Sequence, residues 1–330
     1  MSAFSFSRLV LPVLALAVGT GVQASDQVAL ETLQRMQAAA QNINYHGTLI
    51  FLQDGQVQSM QVVHKADDKG RFERLINLNG VAREVVRRDD VVVCYMPDSK
   101  EVMVSRQKFS GNVLSKLANN DFSQLQENYE FTLEGLERVA GRPARRIHIS
   151  PKDKLRYGYR LWVGKENAVL LKSDLLNEKG ETLEQAMFAD IAIVDRIPDP
   201  LLTPTSTGEG YTWYEREPEA RKTITNSDWV IDPLPKGFAV VTRFWHQMPG
   251  ASAPSEHWVL SDGLANVSVY FEKLSDKDEP FVGLSPMGAI NAFGGVRDGH
   301  QITVIGEVPA QTVELLVHSV ASDGDAGDDE

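Results

Sequence analysis

The stretch YGYRLWVGKENAVLLKSDLLNEKGETLEQAMFAD, from Tyr157 to Asp190, alternates apolar and polar residues in three runs. Two short polar turns, at residues 164–167 and 177–180, separate the runs. A two-residue period indicates β-strands, and neither turn is long enough for a crossover helix, so the stretch predicts an antiparallel meander. A sheet of this kind buries one face against another layer of the fold.

Residues 1–24 have the features of a secretory signal peptide. Arg8 supplies a positive charge, residues 9–18 form a short apolar run, and the small residues in 22–24 precede a cleavage point ahead of Ser25. The run is shorter than the roughly 20 apolar residues that a transmembrane helix needs. We therefore expect a cleaved signal peptide and an exported protein.

Composition argues against several classes of protein. The formal net charge of -12 and the pI of about 5.1 argue against binding to nucleic acid, whose phosphates need a basic surface. Cys94 is the only cysteine, which excludes an intramolecular disulfide or a thiolate metal cluster, and its apolar surroundings predict a small buried side chain in a strand. The acidic, glycine-containing residues 321–330 predict a disordered tail.

The chain from residue 25 to residue 196 predicts one mainly β domain. Strand-like runs separated by short turns fill most of it, and two helical segments interrupt them, the first beginning near Asp26. Their apolar positions are Ala29, Leu33, Met36 and Ala40 in the first segment and Val113, Leu114, Leu117 and Leu125 in the second. With both helices on one side of the sheet, this pattern predicts a half-open antiparallel β-barrel with a helical lid.

The second half of the chain predicts a smaller domain. Residues 197–212 contain three prolines followed by a segment rich in Thr, Ser and Gly, and they predict a flexible linker. Beyond it, residues 213–320 contain hairpin turns at 261–263 and 297–299 and a helix opened by Pro309. These signals predict a small α+β domain.

Motifs for catalysis or metal binding are weak. The seven histidines show no metal-ligand spacing, and the sequence contains no Gly-x-Ser-x-Gly motif. Adjacent carboxylates such as Asp89 and Asp90 fall in a predicted turn, where solvated surface is the ordinary explanation. We therefore predict a protein that is not an enzyme and that has no cofactor or metal, although a triad of residues distant in sequence stays open.

A curved sheet under helices can leave an apolar cavity that suits acyl chains. Arginines 83, 87, 88, 142, 145 and 146 could contact the phosphates of a lipid headgroup, but scattered surface cations are the more ordinary interpretation. The alternative for the apolar residues is a solid core, which patterning alone favours. The candidate wall of the cavity consists of Leu49, Phe51, Tyr95, Tyr159, Leu161, Leu175 and Met187.

Short motifs, most of them turns between strands, are spread over nearly the whole mature chain. They are Tyr45-His46-Gly47-Thr48, Glu73-Arg74-Leu75, Leu78-Asn79-Gly80, Arg83-Glu84-Val85-Val86-Arg87, Ala140-Gly141-Arg142-Pro143-Ala144, Arg156-Tyr157-Gly158-Tyr159, residues 175–185, Leu234-Pro235-Lys236-Gly237-Phe238, Leu260-Ser261-Asp262-Gly263-Leu264 and residues 302–309. In this order and spacing they make the chain resemble the RseB/MucB family of periplasmic regulators of the sigma-E, or AlgU-type, envelope-stress response.

This resemblance implies a fold and a function. The large domain should look like the periplasmic carriers of lipoproteins, and the smaller domain should carry much of the contact with a partner. The resemblance implies that this partner is the periplasmic domain of a membrane anti-sigma factor of the RseA/MucA type. The protein should protect this anti-sigma factor from regulated proteolysis. Lipid or lipopolysaccharide in the cavity should release the partner, and no catalytic residue carries over. A periplasmic lipid or lipoprotein carrier is the alternative, and homo-oligomer formation stays open.

Overall fold

Twelve strands form one large sheet in the computed structural model, which describes residues 20–68, 70–106, 122–216, 222–247, 253–275 and 278–322. The strands are β1 Tyr45–Gln53, β2 Gln56–Asp67, β3 Gly70–Asn77, β4 Glu84–Arg88, β5 Val91–Met96, β6 Glu101–Arg106, β7 Tyr129–Val139, β8 Arg142–Pro151, β9 Gly158–Gly164, β10 Leu170–Leu176, β11 Thr182–Ile193 and β12 Thr212–Arg216. The predicted meander is β9, β10 and β11, which pair antiparallel in that order.

The spatial order of the large sheet is β12-β6-β5-β4-β3-β2-β1-β11-β10-β9-β8-β7. All neighbours are antiparallel except β12 and β6, which are parallel. In the part of the chain that the structure describes, the two end strands β12 and β7 do not pair with each other, so the sheet is not closed. The half-open, mainly β architecture that we predicted is confirmed.

The hairpin between β7 and β8 falls in the motif Ala140-Gly141-Arg142-Pro143-Ala144. The chain turns at Ala140 and Gly141, whose φ angles are +47° and +74°. Two successive positive φ angles suit a two-residue hairpin, because the turn then matches the twist of the strands.

Helix α1, Thr20–Asn42, lies over the large sheet and begins before Asp26. Ala29, Leu33 and Met36 are buried, as the helical period predicts, and they join the core of the large domain. A short helix, α2 Phe122–Leu125, is the described end of the second helical segment. Residues 1–19 of the expected signal peptide, 107–121 of that segment and 323–330 of the expected tail lie outside the described residues. No helix in the described ranges is long and apolar enough to cross a membrane.

The second domain has its own sheet and core. Six strands lie in the order β14-β15-β16-β19-β18-β17, and β13 pairs with β20. Helix α4, Ala310–His318, packs on this sheet and buries Val313, Leu316 and Val317. The strands are β13 Trp229–Ile231, β14 Ala239–His246, β15 Ser255–Ser261, β16 Asn266–Lys273, β17 Gly283–Met287, β18 Ile290–Arg297, β19 His300–Gly306 and β20 Val320–Ser322. The predicted α+β domain is confirmed, and β20 includes the first two residues of the expected tail.

The connection between the domains, residues 197–216, is fixed to the large sheet. It contains helix α3, Asp199–Leu202, and strand β12. Buried Arg74 and Glu84 pair at 2.6 Å, and both hold Thr205: Arg74 Nη2 donates to Thr205 Oγ1 at 2.7 Å, and Thr205 N donates to Glu84 Oε2 at 2.9 Å. Residues 197–212 therefore differ from the flexible linker that we expected. Their prolines keep them out of a regular strand, but side chains of the sheet bind their backbone groups, such as the Leu201 carbonyl and the Thr205 N–H. Residues 212–216 belong to the first sheet, so the second domain begins after residue 216 and not at the expected residue 213.

Candidate functional site

The face of the large sheet that packs against α1 is the candidate binding surface, and we call it the inner face. Arg145 of β8 identifies this face, because its Nη1 donates a 3.2 Å hydrogen bond to Thr32 Oγ1 in α1. Paired residues on neighbouring strands share a face, and so does every second residue along a strand. Val163, in register with Arg145, therefore belongs to the inner face.

Most of the residues predicted for the cavity wall lie on this inner face. Leu161 precedes Val163 by two residues and pairs with Ile147. Neither Leu161 nor Ile147 has exposed surface, and both belong to the core that includes Leu33 of α1. This half of the inner face is therefore a solid core, the alternative that patterning favoured. The predicted wall residues on the inner face are Leu49, Phe51, Tyr159, Leu161 and Leu175.

Met187 and Tyr95 lie on the opposite, outer face. Met187 is in register with Lys172, whose Nζ lies 4.1 Å from the centre of the Trp162 ring, and Trp162 is adjacent to Leu161 in β9. Tyr95 belongs to a smaller apolar cluster beneath the connection. The structure therefore does not bring these two residues together with the other five, and we remove them from the candidate wall.

Beyond β1 the inner face becomes more open. A row of apolar side chains crosses β2 to β6 at successive register positions, and we call it the apolar row. Its members are Val62, Leu75, Val85, Cys94 and Met103. Val62 is buried, the next three are half-buried, and Met103 is 40 % exposed. The apolar row offers a surface that an acyl chain can contact, and the sequence prediction missed it.

The connection contributes the end of this surface. Tyr214 of β12 is in register with Met103 of β6, so it continues the apolar row on the inner face. Its ring is half exposed, and its hydroxyl lies 3.4 Å from Glu101 Oε1. The last residue of the candidate surface therefore comes from the segment that leads to the second domain.

Two of the arginines that we considered for a lipid headgroup flank Val85 in β4. Arg83 is exposed, and its Nε lies 3.3 Å from the Sγ of Cys94 in the apolar row. Arg87 is half-buried and pairs with Glu73 at 3.2 Å. Arg83 is therefore placed to contact an anionic group at one end of an acyl chain on the apolar row.

The phenol of Tyr159 stays neutral on the buried half of the inner face. Burial raises the pKa of this hydroxyl well above its usual range, and the nearby carboxylates of Glu307, Asp262 and Glu184 raise the pKa further. A neutral aromatic side chain suits an apolar environment better than a charged one does. The inner face therefore carries no phenolate here at physiological pH.

Other features offer less for binding or catalysis. Among the described residues, no three His, Cys, Asp or Glu side chains are placed to hold one metal ion. A pocket of about 380 Å³ opens near the end of α1, but its polar lining does not suit an acyl chain. The lining residues are Gln41, Asn42, Ala66, Asp67, Gly70, Arg71 and Asp89.

Comparisons with known proteins match both domains. Residues 28–206 match the family model of the MucB/RseB N-terminal domain, and residues 223–321 match that of the MucB/RseB C-terminal domain. The chain is 27% identical to the sigma-E factor regulatory protein RseB of Haemophilus influenzae, over 93% of this chain and 95% of that protein. It is 30% identical to the sigma factor AlgU regulatory protein MucB of Pseudomonas aeruginosa, over 90% and 92%. The solved complex of Pseudomonas aeruginosa MucA and MucB superposes with a TM-score of 0.71 at 27% identity, over 89% of this chain and 99% of that one.

Proposed function

Because the chain belongs to the MucB/RseB family, we propose that it is a periplasmic regulator that binds the periplasmic domain of a membrane anti-sigma factor of the RseA/MucA type. By covering this domain it protects the anti-sigma factor from regulated proteolysis and so restrains sigma-E. The observation that carries the proposal is the likeness of both domains, in one arrangement, to the MucA/MucB complex. The signal-like residues 1–24 support a periplasmic location.

Calorimetric titration of the mature protein with a purified RseA/MucA-type periplasmic domain tests this proposal. We expect saturable binding. In a second experiment, a digestion with the periplasmic protease that acts on the anti-sigma domain, we expect slower cleavage when the mature protein is present. The second domain without the first is not a suitable sample, because its Leu264 and Ala289 pack into the core of the first domain. Absence of binding together with unchanged cleavage would contradict the proposal.

A second candidate function is lipid binding on the apolar row. The specific observation is the gradient of exposure from buried Val62 to Met103 and Tyr214, which leaves apolar surface on a sheet that is otherwise well packed. A ligand with an acyl chain and an anionic group matches this surface and exposed Arg83. Displacement of a fluorescent fatty acid by lipopolysaccharide tests this function, and a protein that does not change the fluorescence of the fatty acid would contradict it.

A lipoprotein-carrier role would instead require transfer of a lipidated protein to an acceptor. The second domain and the fixed connection favour the regulator, since a shuttle needs neither. Purification of the mature protein from an envelope extract, followed by identification of the bound protein and lipid, separates the two roles. A lipidated protein that passes to an acceptor membrane would support the carrier.

A further inference from the structure

The two domains meet at a fully buried arginine. Arg156 lies in the loop between β8 and β9, and none of its surface is exposed. Its Nη1 donates a 2.8 Å hydrogen bond to Asp262 Oδ2 and its Nη2 donates a 2.6 Å bond to the carbonyl of Lys236, both in the second domain. Asp153, in its own loop, accepts a third bond of 3.1 Å from Nε. The guanidinium is therefore held from both domains, and the second domain supplies the fully buried carboxylate.

Asp262 is equally well satisfied. Its Oδ2 also accepts a 2.8 Å hydrogen bond from the Tyr129 hydroxyl of the first domain. Its Oδ1 accepts bonds from the backbone N–H groups of Leu264 and Ala265, at 2.9 and 2.7 Å, and so shapes the turn after β15. Burying a carboxylate and a guanidinium costs much free energy unless both are paired and hydrogen-bonded, and here both conditions hold.

Aromatic rings complete the cluster. The Arg156 guanidinium lies 5.6 Å from the centre of the Tyr129 ring and 5.0 Å from that of Phe238. Burial, followed by the adjacent Asp262 carboxylate, raises the pKa of Tyr129 well above its usual range. The Tyr129 hydroxyl therefore keeps the proton that it donates.

Further contacts surround the ion pair. Leu264 and Ala289 of the second domain belong to the core of the first domain. Thr312 Oγ1 donates to the carbonyl of Leu155 at 2.8 Å, and Asn291 Nδ2 donates to the Tyr157 hydroxyl at 3.1 Å. Domains of one chain are expected to move relative to each other unless their interface is large and hydrophobic. Here the apolar contact of Leu264 and Ala289 is joined by buried hydrogen bonds and an ion pair, which together favour one fixed orientation.

Three of the sequence motifs that seemed to be ordinary turns meet here. Arg156 and Tyr157 come from one, Lys236 and Phe238 from another, and Asp262 from a third. We propose that the buried Arg156–Asp262 pair is a lock that holds the two domains in one orientation, and that affinity for the protein partner depends on this lock. The part that concerns the partner rests on the function proposed above.

Neutralising one member of the pair tests the lock. Asp262→Asn keeps an oxygen that can accept the two turn hydrogen bonds, but it removes the fully buried one of the two carboxylates that pair with Arg156. The other, Asp153, is one-third exposed and lies in the loop of Arg156 itself, so the charge pair across the domain interface is lost. Breaking a buried pair in this way is strongly unfavourable. We expect hydrogen-exchange protection of residues 153–157 and 261–265 to fall on the order of a hundredfold. We also expect the radius of gyration from small-angle scattering to rise, with protection in β9 and β16 unchanged.

Three further variants make the result decisive. Asp199→Asn removes the exposed pair with Arg196, in which both side chains are more than three-quarters exposed, and should change neither measurement. Tyr129→Phe removes one hydrogen bond and should give a smaller loss of protection in the same residues. The double variant Arg156→Met with Asp262→Asn removes both charges but keeps an oxygen for the two turn hydrogen bonds, and it should recover protection relative to Asp262→Asn alone. If Asp262→Asn does not fold, these last two variants decide the question.

The lock is refuted if Asp262→Asn folds and keeps wild-type protection at the interface and wild-type dimensions. If Asp262→Asn does not fold, the same result for Tyr129→Phe refutes the lock. Titration with the anti-sigma periplasmic domain then tests the second part. An unlocked variant that binds as tightly as the wild type would refute the dependence of affinity on the lock. A wild-type protein that does not bind at all would refute the proposed function, while scattering and exchange would still test the lock.

Discussion

The side chains of Leu161 and Met187 lie on opposite faces of the large sheet, although both belong to the same meander. Leu161 pairs with Ile147 on the inner face, whereas Met187 is in register with Lys172 and Trp162 on the outer face. The two residues therefore cannot contact the same ligand within the sheet. This relationship moves the candidate lipid surface from the middle of the sheet to the apolar row.

A charge on the apolar row should abolish lipid binding. Met103→Asp places a carboxylate on the exposed end of the row, where burial under an acyl chain would leave it unpaired. We expect the affinity for a fluorescent fatty acid to fall by at least about tenfold, which is about 1.4 kcal/mol. Met187→Asp makes the same change on the outer face and should bind like the wild type. Equal loss in both variants would show that the lipid does not bind the inner face.

Neutralising Glu84 should release the connection between the domains. The Glu84 carboxylate is buried, pairs with Arg74 and accepts the backbone N–H of Thr205. Glu84→Gln leaves the Arg74 charge uncompensated, and we expect a loss of about 3 kcal/mol in the free energy of unfolding, measured with urea. Residues 197–212 should become sensitive to limited proteolysis.

Asp98→Asn is the control for the change at Glu84. Asp98 is an exposed residue whose carboxylate accepts the Ala82 N–H at 3.1 Å. Its substitution should change the free energy of unfolding by less than about 0.5 kcal/mol. A connection that stays resistant to proteolysis in Glu84→Gln would contradict the proposed anchoring.

Stability should fall in alkaline solution through Tyr157. Burial, followed by nearby Glu178, raises the pKa of its hydroxyl to about 12. The folded state therefore favours the neutral phenol. This contribution is fully present below the unfolded pKa of about 10 and is lost as the pH rises through the folded pKa. Between pH 10 and 12 the free energy of unfolding should drop by about 2 kcal/mol from this residue.

Tyr157→Phe isolates this effect from those of other buried tyrosines. The variant should be less stable near neutral pH, because Asn291 loses its 3.1 Å hydrogen bond to the hydroxyl. Its stability should fall less steeply between pH 10 and 12 than that of the wild type, measured by urea unfolding at each pH. The same slope in both proteins would mean that Tyr157 does not titrate with a raised pKa.

Lipid and protein partner should weaken each other's binding. If lipopolysaccharide lowers the affinity for the anti-sigma domain by some factor, that domain must lower the affinity for lipopolysaccharide by the same factor. Calorimetric titrations of each ligand in the presence and absence of the other measure both factors. Equal affinity for the anti-sigma domain with and without lipid would refute a lipid-sensitive switch.

Local patterns predicted the strands well, because alternation and turn residues act over a few positions. The face that each strand buries was harder to predict. In β11 both faces carry apolar residues. The pairing of β11 with β1 also contains a register shift near Leu49, which changes which β11 residues point inward. Alternation alone therefore could not assign Met187 to a face. The docked connection depends on Arg74 and Glu84, more than a hundred residues earlier in the chain, and no local signal at Thr205 indicates this contact. The Arg156–Asp262 contact is equally distant in sequence.

The central position of β1 also affects how the chain folds. β1 can form a hairpin with β2 as soon as both have emerged. The other edge of β1 pairs with β11, which is far away in the sequence. Gln53 and Glu184 meet across this pairing and are 131 residues apart. As the chain emerges N-terminus first, an unsatisfied strand edge is exposed until most of the large domain has appeared. Such an edge favours pairing with other chains, and contacts this distant in sequence make folding slow. The nascent protein should therefore need a holding chaperone most during the interval between β1 and β11.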